Sequence, residues 1–335
     1  MTGCCIPETL FLYYSDSFAI PQKTHVFSPS ERTMTLLVPL GTVVLLFLVS
    51  VTIVLLIIGP GLLLKPRRRT AEFYRALGQP TTPAEAQLSY EKIHVEIEKD
   101  VRLDCWLVRA DPPARGTVLY LHGVSDCKID GLRLARLLHD HHFNVFLYDA
   151  RRHGLSDGKF CTYGFYEKFD VVRIIDYLTS RKDFSPGKIG AFGTSMGAAV
   201  AIQAAAIDER IAAVVAENSF ATLRSIFDDY QKRMIKLPFH YLRNLVIVRS
   251  ERMANFKASE VSPLEAVRNL DRPVLFIYGK NDQLISHEYS VMLFENTPVK
   301  KELFPIEHAS HNDTWNIAGR SYEMKLLGFF ERNLQ

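Results

Sequence analysis

The pentapeptide Gly193-Thr194-Ser195-Met196-Gly197 is the part of this 335-residue chain best suited to covalent chemistry. A serine hydroxyl is a weak nucleophile at neutral pH, so it needs a base, itself held by an acid, to take its proton. Lys188 to Gly193 reads as a short buried strand and Met196 to Asp208 as an Ala-rich helix, which puts Ser195 on a sharp strand-to-helix turn. Such a turn strains the serine backbone and requires glycine at 193 and 197, where a Cβ would strike the neighbouring strand or helix. The hydroxyl then stands at the positive end of the following helix.

On a strand-turn-helix platform of this kind the acid and then the base follow the serine along the chain. The apolar run Val274 to Tyr278 is followed by Gly279-Lys280-Asn281-Asp282, placing Asp282 at the C-terminal end of a strand, where the sites of α/β sheets gather. After the extended stretch Leu303 to Ile306 comes Glu307-His308-Ala309-Ser310-His311-Asn312-Asp313. His311 is the preferred base over His308, because a few small residues are needed to carry the ring back over Ser195. Asp282 is the preferred acid over Glu217, which ends an earlier strand, and over Asp313, which is too near in sequence to reach behind the His311 ring. Two backbone N–H groups must receive the developing oxyanion. Met196 is expected to supply one and the loop Leu121-His122-Gly123-Val124-Ser125 the other, through Val124, with His122 bracing that loop.

These residues need a rigid platform, and the chain from about 91 onward alternates extended and helical runs, the pattern of a mostly parallel sheet flanked by helices. Ile93 to Ile97 and Leu103 to Val108 alternate apolar with polar residues about Lys99-Asp100, as an antiparallel hairpin at a sheet edge does. Continuous apolar runs at Thr117 to Leu121, Val145 to Tyr148, Ile189 to Phe192, Ile211 to Ala216 and Val274 to Tyr278 read as strands buried on both faces. Phe165, Phe169, Val172 and Ile175 recur at helical spacing and form a packing stripe.

Between Arg32 and Lys65 no charged residue occurs. A helix over Leu36 to Leu64 would rise roughly 43 Å, more than the ~30 Å hydrocarbon core of a bilayer, so it must tilt or break near Pro39 or Gly59-Pro60-Gly61. The run is too long for a signal peptide and lacks a small-x-small cleavage site, which favours an uncleaved single-pass anchor. Lys65-Pro66-Arg67-Arg68-Arg69 follows it directly, whereas the other flank offers Lys23 and Arg32 against Asp16 and Glu31; the positive-inside rule then leaves residues 66 to 335 in the cytoplasm. The formal net charge of +3 is a near balance that argues against nucleic-acid binding. Cys4, Cys5, Cys105, Cys127 and Cys161 show no paired spacing, so neither a metal site nor a disulfide framework is expected, and no cofactor is implied. Cys4 and Cys5 are candidates for acylation near a membrane.

Taken jointly, His122-Gly123, Asp149 to Ser156, the elbow from Gly193 to Gly197, Asp282 and His311 resemble the α/β-hydrolase superfamily over about residues 90 to 335, most nearly its single-pass membrane-anchored group. One departure is visible: family members usually carry glycine at the position of Arg152, which puts the shape of that loop in question. The resemblance implies an α/β-hydrolase fold with a short helical cap and a domain plan of N-terminal tail (1–33), transmembrane helix (34–64), basic juxtamembrane linker (65–90) and hydrolase domain (91–335). Insertions such as residues 221–262 act as caps in this superfamily, which makes Phe227, Met234 and Phe239, with Tyr241 and Leu242, candidate walls of an acyl pocket. The reaction implied is cleavage of an ester, thioester or related acyl bond in a small-molecule or lipid-like substrate, through an acyl-Ser195 intermediate. A serine aminopeptidase, using Asp228 and Asp229 as a clamp for a substrate amine, and a catalytically silent membrane scaffold are the alternatives.

Overall fold

The longest element, α1 (Pro29–Leu64), carries a 26-residue stretch, Pro39–Leu64, with a mean hydropathy of 3.0. Its side chains point outward: Val43, Phe47, Ile53 and Ile57 are all more than half a side chain exposed, which in water is unfavourable and in lipid is not. Of the two expected accommodations, tilt or a break near Pro39 or Gly59-Pro60-Gly61, the break is absent: α1 runs unbroken through both and starts five residues before the expected position 34. The computed structural model describes residues 29–234 and 240–334; Cys4 and Cys5 of the tail, Phe239 and the Met234 side chain lie outside the described residues. Up to Val51 the described chain is the first part of α1, and Thr52–Gln335 forms one compact unit.

Within that unit α2 (Ala71–Ala76) precedes the hairpin β1 (Glu91–Glu98) and β2 (Val101–Val108), which turns through Asp100 at φ 63°. There follow β3 (Thr117–Leu121), α3 (Leu132–His139), β4 (Asn144–Tyr148), α4 (Glu167–Ser180), β5 (Ile189–Thr194), α5 (Met196–Ala205) and β6 (Ile211–Glu217). Helices α6 (Leu223–Met234), α7 (His240–Ala254) and α8 (Pro263–Arg268) then intervene before β7 (Val274–Gly279), α9 (Glu288–Asn296), β8 (Lys301–Ile306), α10 (Thr314–Ala318) and α11 (Arg320–Leu334). The eight strands order as β1-β2-β4-β3-β5-β6-β7-β8; β2 is antiparallel to both its neighbours and every other pairing is parallel.

Strands β3 to β7 are buried on both faces, which is why their sequences are continuous apolar runs rather than alternations. Alternate residues feed two cores. Leu119, Leu121, Val214 and Ala216 face a layer shared with α4, α5 and the end of α1, whereas Val118, Tyr120, Ala213 and Val215 face α3 and α11. The stripe of α4 is Val171, Ile174, Ile175 and Leu178; Phe169, expected on it, is half exposed and only Ile175 of the expected set is fully buried. Cys105, Cys127 and Cys161 are buried free thiols, and burial pushes the Cys127 thiol up to about 12.

Candidate active site

Strand β5 ends in Thr194, and Ser195 takes φ 54° and ψ −116° before α5 begins at Met196. This conformation is costly for a residue with a side chain, and the surroundings enforce it. A Cβ on Gly193 would stand 2.3 Å from the Gly197 carbonyl, and one on Gly197 would stand 2.0 Å from the Leu121 carbonyl oxygen, so the two glycines let β3, β5 and α5 meet at one point. The Ser195 amide donates to Glu217 O at 2.8 Å, joining the elbow to the end of β6.

Beyond β7, Asp282 is buried and held from two sides. Its Oδ1 accepts from the amides of Leu284 (2.7 Å) and Ile285 (2.9 Å), and its Oδ2 lies 2.6 Å from His311 Nδ1. A carboxylate so placed keeps the proton of the ring on Nδ1 and leaves Nε2 as the acceptor. The other candidates have different work. His308 is exposed at φ 63°. Asp313 accepts from Ser310 N at 2.6 Å and shapes the loop that carries His311. Glu217 is buried, accepts from the hydroxyls of Thr314 and Tyr322, and burial raises its pKa.

Asn218 is a site residue that the sequence reading missed. At φ 51°, where asparagine is better tolerated than most residues, it accepts from Gly279 N (3.1 Å) and donates to His311 O (2.9 Å), tying the acid-bearing loop to the base-bearing one. The only signal for it in the sequence was an asparagine directly after a buried strand.

The loop with Val124 lies against the elbow: a Cβ on Gly123 would be 3.5 Å from Ser195 Cβ. From inside, His122 braces it. Nε2 accepts from Ala150 N (2.9 Å), so Nδ1 carries the proton and donates to Gly123 O (2.8 Å); burial lowers the pKa of the ring to about 4. From outside, the segment expected to be a simple linker clasps it. Arg69 N donates to Ser125 O (3.1 Å), Arg69 Nη1 donates to Asp126 Oδ2 (2.7 Å), and the Tyr74 hydroxyl donates to Asp126 Oδ1. Burial, reinforced by nearby Asp130, raises Asp126 to about 7 despite Arg69. Arg68 is engaged too, donating to Gly154 O and Ser156 O. Those carbonyls belong to the loop that departs from the family pattern, and there Arg152 adopts φ 68°, the left-handed backbone a glycine would supply, so the loop keeps its turn.

Ser195 and His311 open on one cleft of about 990 Å³, whose walls include Phe73, Leu77, Ile129, Leu137, Tyr230 and Trp315. The acyl-pocket walls expected from the cap are corrected in part. Phe227 does not line the cleft; it is buried in the core, its ring edge-to-face with Tyr163 at 5.8 Å, because α6 turns Tyr230 toward the cleft instead. Tyr241 is 66% exposed outside it. Much of the wall comes from α2 and α3. The suggested amine clamp is also occupied, Asp228 by Arg243 and Asp229 by the Tyr289 hydroxyl (2.7 Å). Among the described residues no group of three His, Cys, Asp or Glu side chains is placed to hold a metal ion.

Comparison with known proteins adds the family. Residues 116–259 match the family model for the alpha/beta hydrolase fold. YqkD of Bacillus subtilis is 30% identical over 217 residues, covering 64% of this chain and 71% of YqkD. The alpha/beta hydrolase domain-containing protein WAV2 of Arabidopsis thaliana is 27% identical over 261 residues, covering 76% and 82% of the two chains. Among solved structures, the Pyrococcus furiosus esterase Pf2001 superposes with a TM-score of 0.66 at 25% identity, over 82% of this chain and 99% of the esterase. With its strand order, its elbow and these relatives, the chain belongs to the α/β-hydrolase family of hydrolases.

Proposed function

We propose that this hydrolase is a membrane-anchored serine hydrolase that cleaves an ester, thioester or related acyl bond through an acyl-Ser195 intermediate. The observation that carries the reading is the contact between His311 and Asp282, held by two backbone amides, beside a cleft that also exposes the strained Ser195. Ser195 Oγ attacks the acyl carbon while His311 Nε2 takes its proton, and Asp282 stabilises the resulting imidazolium in place. The oxyanion is received by the amides of Met196 and Val124. His311 then protonates the leaving group, and the same base activates water to release the acyl chain. The esterase among the structural relatives favours a carboxylic ester, and Phe73, Leu77, Ile129, Leu137 and Trp315 offer an apolar side to an acyl chain in a cleft that also carries Arg69, Asp130, Arg133 and Arg136.

Pro39–Leu64 serves as the anchor in this reading, and the basic run after it supports a cytoplasmic catalytic unit by the positive-inside rule. Lys65, its ammonium over the Phe160 ring at 5.8 Å, and Arg67 are exposed where they can meet headgroups, whereas Arg68 and Arg69 are spent on the fold.

The test is covalent labelling of the full chain in membranes by a fluorophosphonate. Labelling that disappears in Ser195→Ala is the expected result; a folded, unlabelled wild type would sink the proposal. A panel of acyl esters, thioesters and aminoacyl amides then ranks the bond cleaved, and a compartment-sensitive reporter fused after Gln335 checks the orientation.

A further inference from the structure

The end of α1 is built into the folded unit. Leu64 is fully buried, its carbonyl accepts from Cys161 N (2.9 Å), and the Leu63 carbonyl accepts from the Tyr163 hydroxyl (2.8 Å). Gly59 packs so closely on α7 that a Cβ there would stand 2.9 Å from both methyls of Val246. Helix α7 therefore lies beside the last turns of the candidate span, since Gly59 is only about 8 Å of helix from Leu64 at ~1.5 Å per residue. The apolar stretch Pro39–Leu64 rises about 39 Å, beyond a hydrocarbon core of ~30 Å and into the headgroup layers that bring a bilayer to ~40–45 Å. On that reading Leu64 lies in the headgroup layer, and Gly59, about 8 Å nearer the bilayer centre, puts the Val246 contact at the boundary between headgroups and hydrocarbon.

The surface around that end has the matching chemistry. On α7, Tyr241 (66%), Val248 (42%) and Met253 (38%) are exposed, and Arg249 and Arg252 are exposed among them. Tyr241, Val248 and Arg252 are spaced by seven and four residues and share a face. On the other flank, Arg68 grips the carbonyls of Gly154 and Ser156, and Leu155 between them stands 70% exposed. Apolar and aromatic side chains rimmed by cations are what an interfacial segment presents to lipid headgroups.

We propose that α7 and the turn at Leu155 are seated in the headgroup layer of the bilayer that α1 crosses, making the α6–α7 cap a lipid-contacting surface. The proposal rests on the reading of α1 as an anchor. It follows that the substrate is reached by a cap already immersed in lipid, which suits an acyl substrate partitioned in the bilayer.

Full-length protein in phosphatidylcholine–phosphatidylglycerol vesicles, with and without lipids brominated near the headgroup, tests this through the emission of single added tryptophans measured over the background of Trp106 and Trp315. Val248→Trp and the conservative Tyr241→Trp should each lose emission by roughly twofold, as for an indole ~5–10 Å into the interface. Met324→Trp, exposed on α11 across the sheet, should not change. Ile53→Trp, near the middle of the span, should be quenched by lipids brominated near the chain ends. Quenching at Ile53→Trp without quenching at either α7 position overturns the proposal and leaves the anchor standing. No quenching at Ile53→Trp removes the anchor, and the proposal with it.

Discussion

Strands β5 and β3 end side by side, and each is followed by a residue assigned to receive the oxyanion, Met196 in one case and Val124 in the other. The two ends are held in different ways. The β5 end is held locally: two glycines and one strained serine within five residues place Met196 at the start of α5. The β3 end is held by residues remote in the chain, with Ala150 acting through the loop's own His122 beneath it and Arg69 and Tyr74 above it. A short loop between elements has few internal contacts, so its geometry is only as firm as what packs on it. The pair thus contrasts a turn whose shape is written in its own residue types, though it packs on β3 and β6, with one whose shape comes from its neighbours.

The proposed acid, Asp282, sets the largest expected effect. Asp282→Asn should lower kcat about 10⁴-fold, by releasing the ring of His311 from the required tautomer while leaving the fold intact, as steady-state kinetics with an activated ester would read. A smaller change at the elbow follows. Gly197→Ala forces a Cβ against the Leu121 carbonyl oxygen and displaces both oxyanion amides, with an expected loss of about 10²–10³ in kcat. An active Gly197→Ala enzyme would mean that the elbow is less self-determined than the comparison holds.

The inner brace is checked by acid. His122 has an ordinary value of 6.5 but about 4 when buried, so the unfolded chain binds a proton first as pH falls. The stability it contributes is complete above about pH 6.5 and is lost between there and about 4, up to ~3 kcal/mol, or about 10²-fold in the unfolding constant. His153, lowered to about 3 by burial and by His122 itself, steepens the same slope. Denaturant midpoints across that range should fall with pH, and less so in His122→Gln.

The outer clasp should have the smallest effect. Arg69→Ala and Asp126→Asn are each expected to reduce kcat about tenfold with KM changed less than about twofold, because the clasp holds the loop of the proposed transition-state donor Val124 rather than the substrate. Their double variant should be no worse than the poorer single one, since both break one link. A loss confined to KM would show instead that Arg69 binds substrate, and no loss at all would show that the β3 loop stands without its clasp.

Much of the site was legible in the sequence because its requirements are local. Gly193, Ser195 and Gly197 announce the elbow by type and spacing, and the buried strands announce themselves as apolar runs because both faces are covered. The order serine, Asp282, His311 was equally readable, since each acidic or basic candidate follows a strand. The cleft wall was not. Phe227 and Tyr230 are neighbours on one helical turn, and which of them faced the cleft depended on how α6 settled against Tyr163. Asn218 gave little warning, because its role exists only once the loops after β7 and β8 lie on either side of it. The stripe on α4 was misplaced for a related reason: periodicity marks a face but leaves its rotation to the packing.

The sequence by itself determined the apolar span, the strand-helix alternation, the elbow and the chain order of the residues that serve it, because these depend on residue type and on separations of a few positions. Only the tertiary structure decided that residues 68 to 74, a linker by composition, would clasp the loop after β3 and wall the cleft. Arg69 and Asp126 are fifty-seven positions apart. No local preference encodes such a contact; it forms when the sheet closes and brings the start of the folded unit over the end of β3.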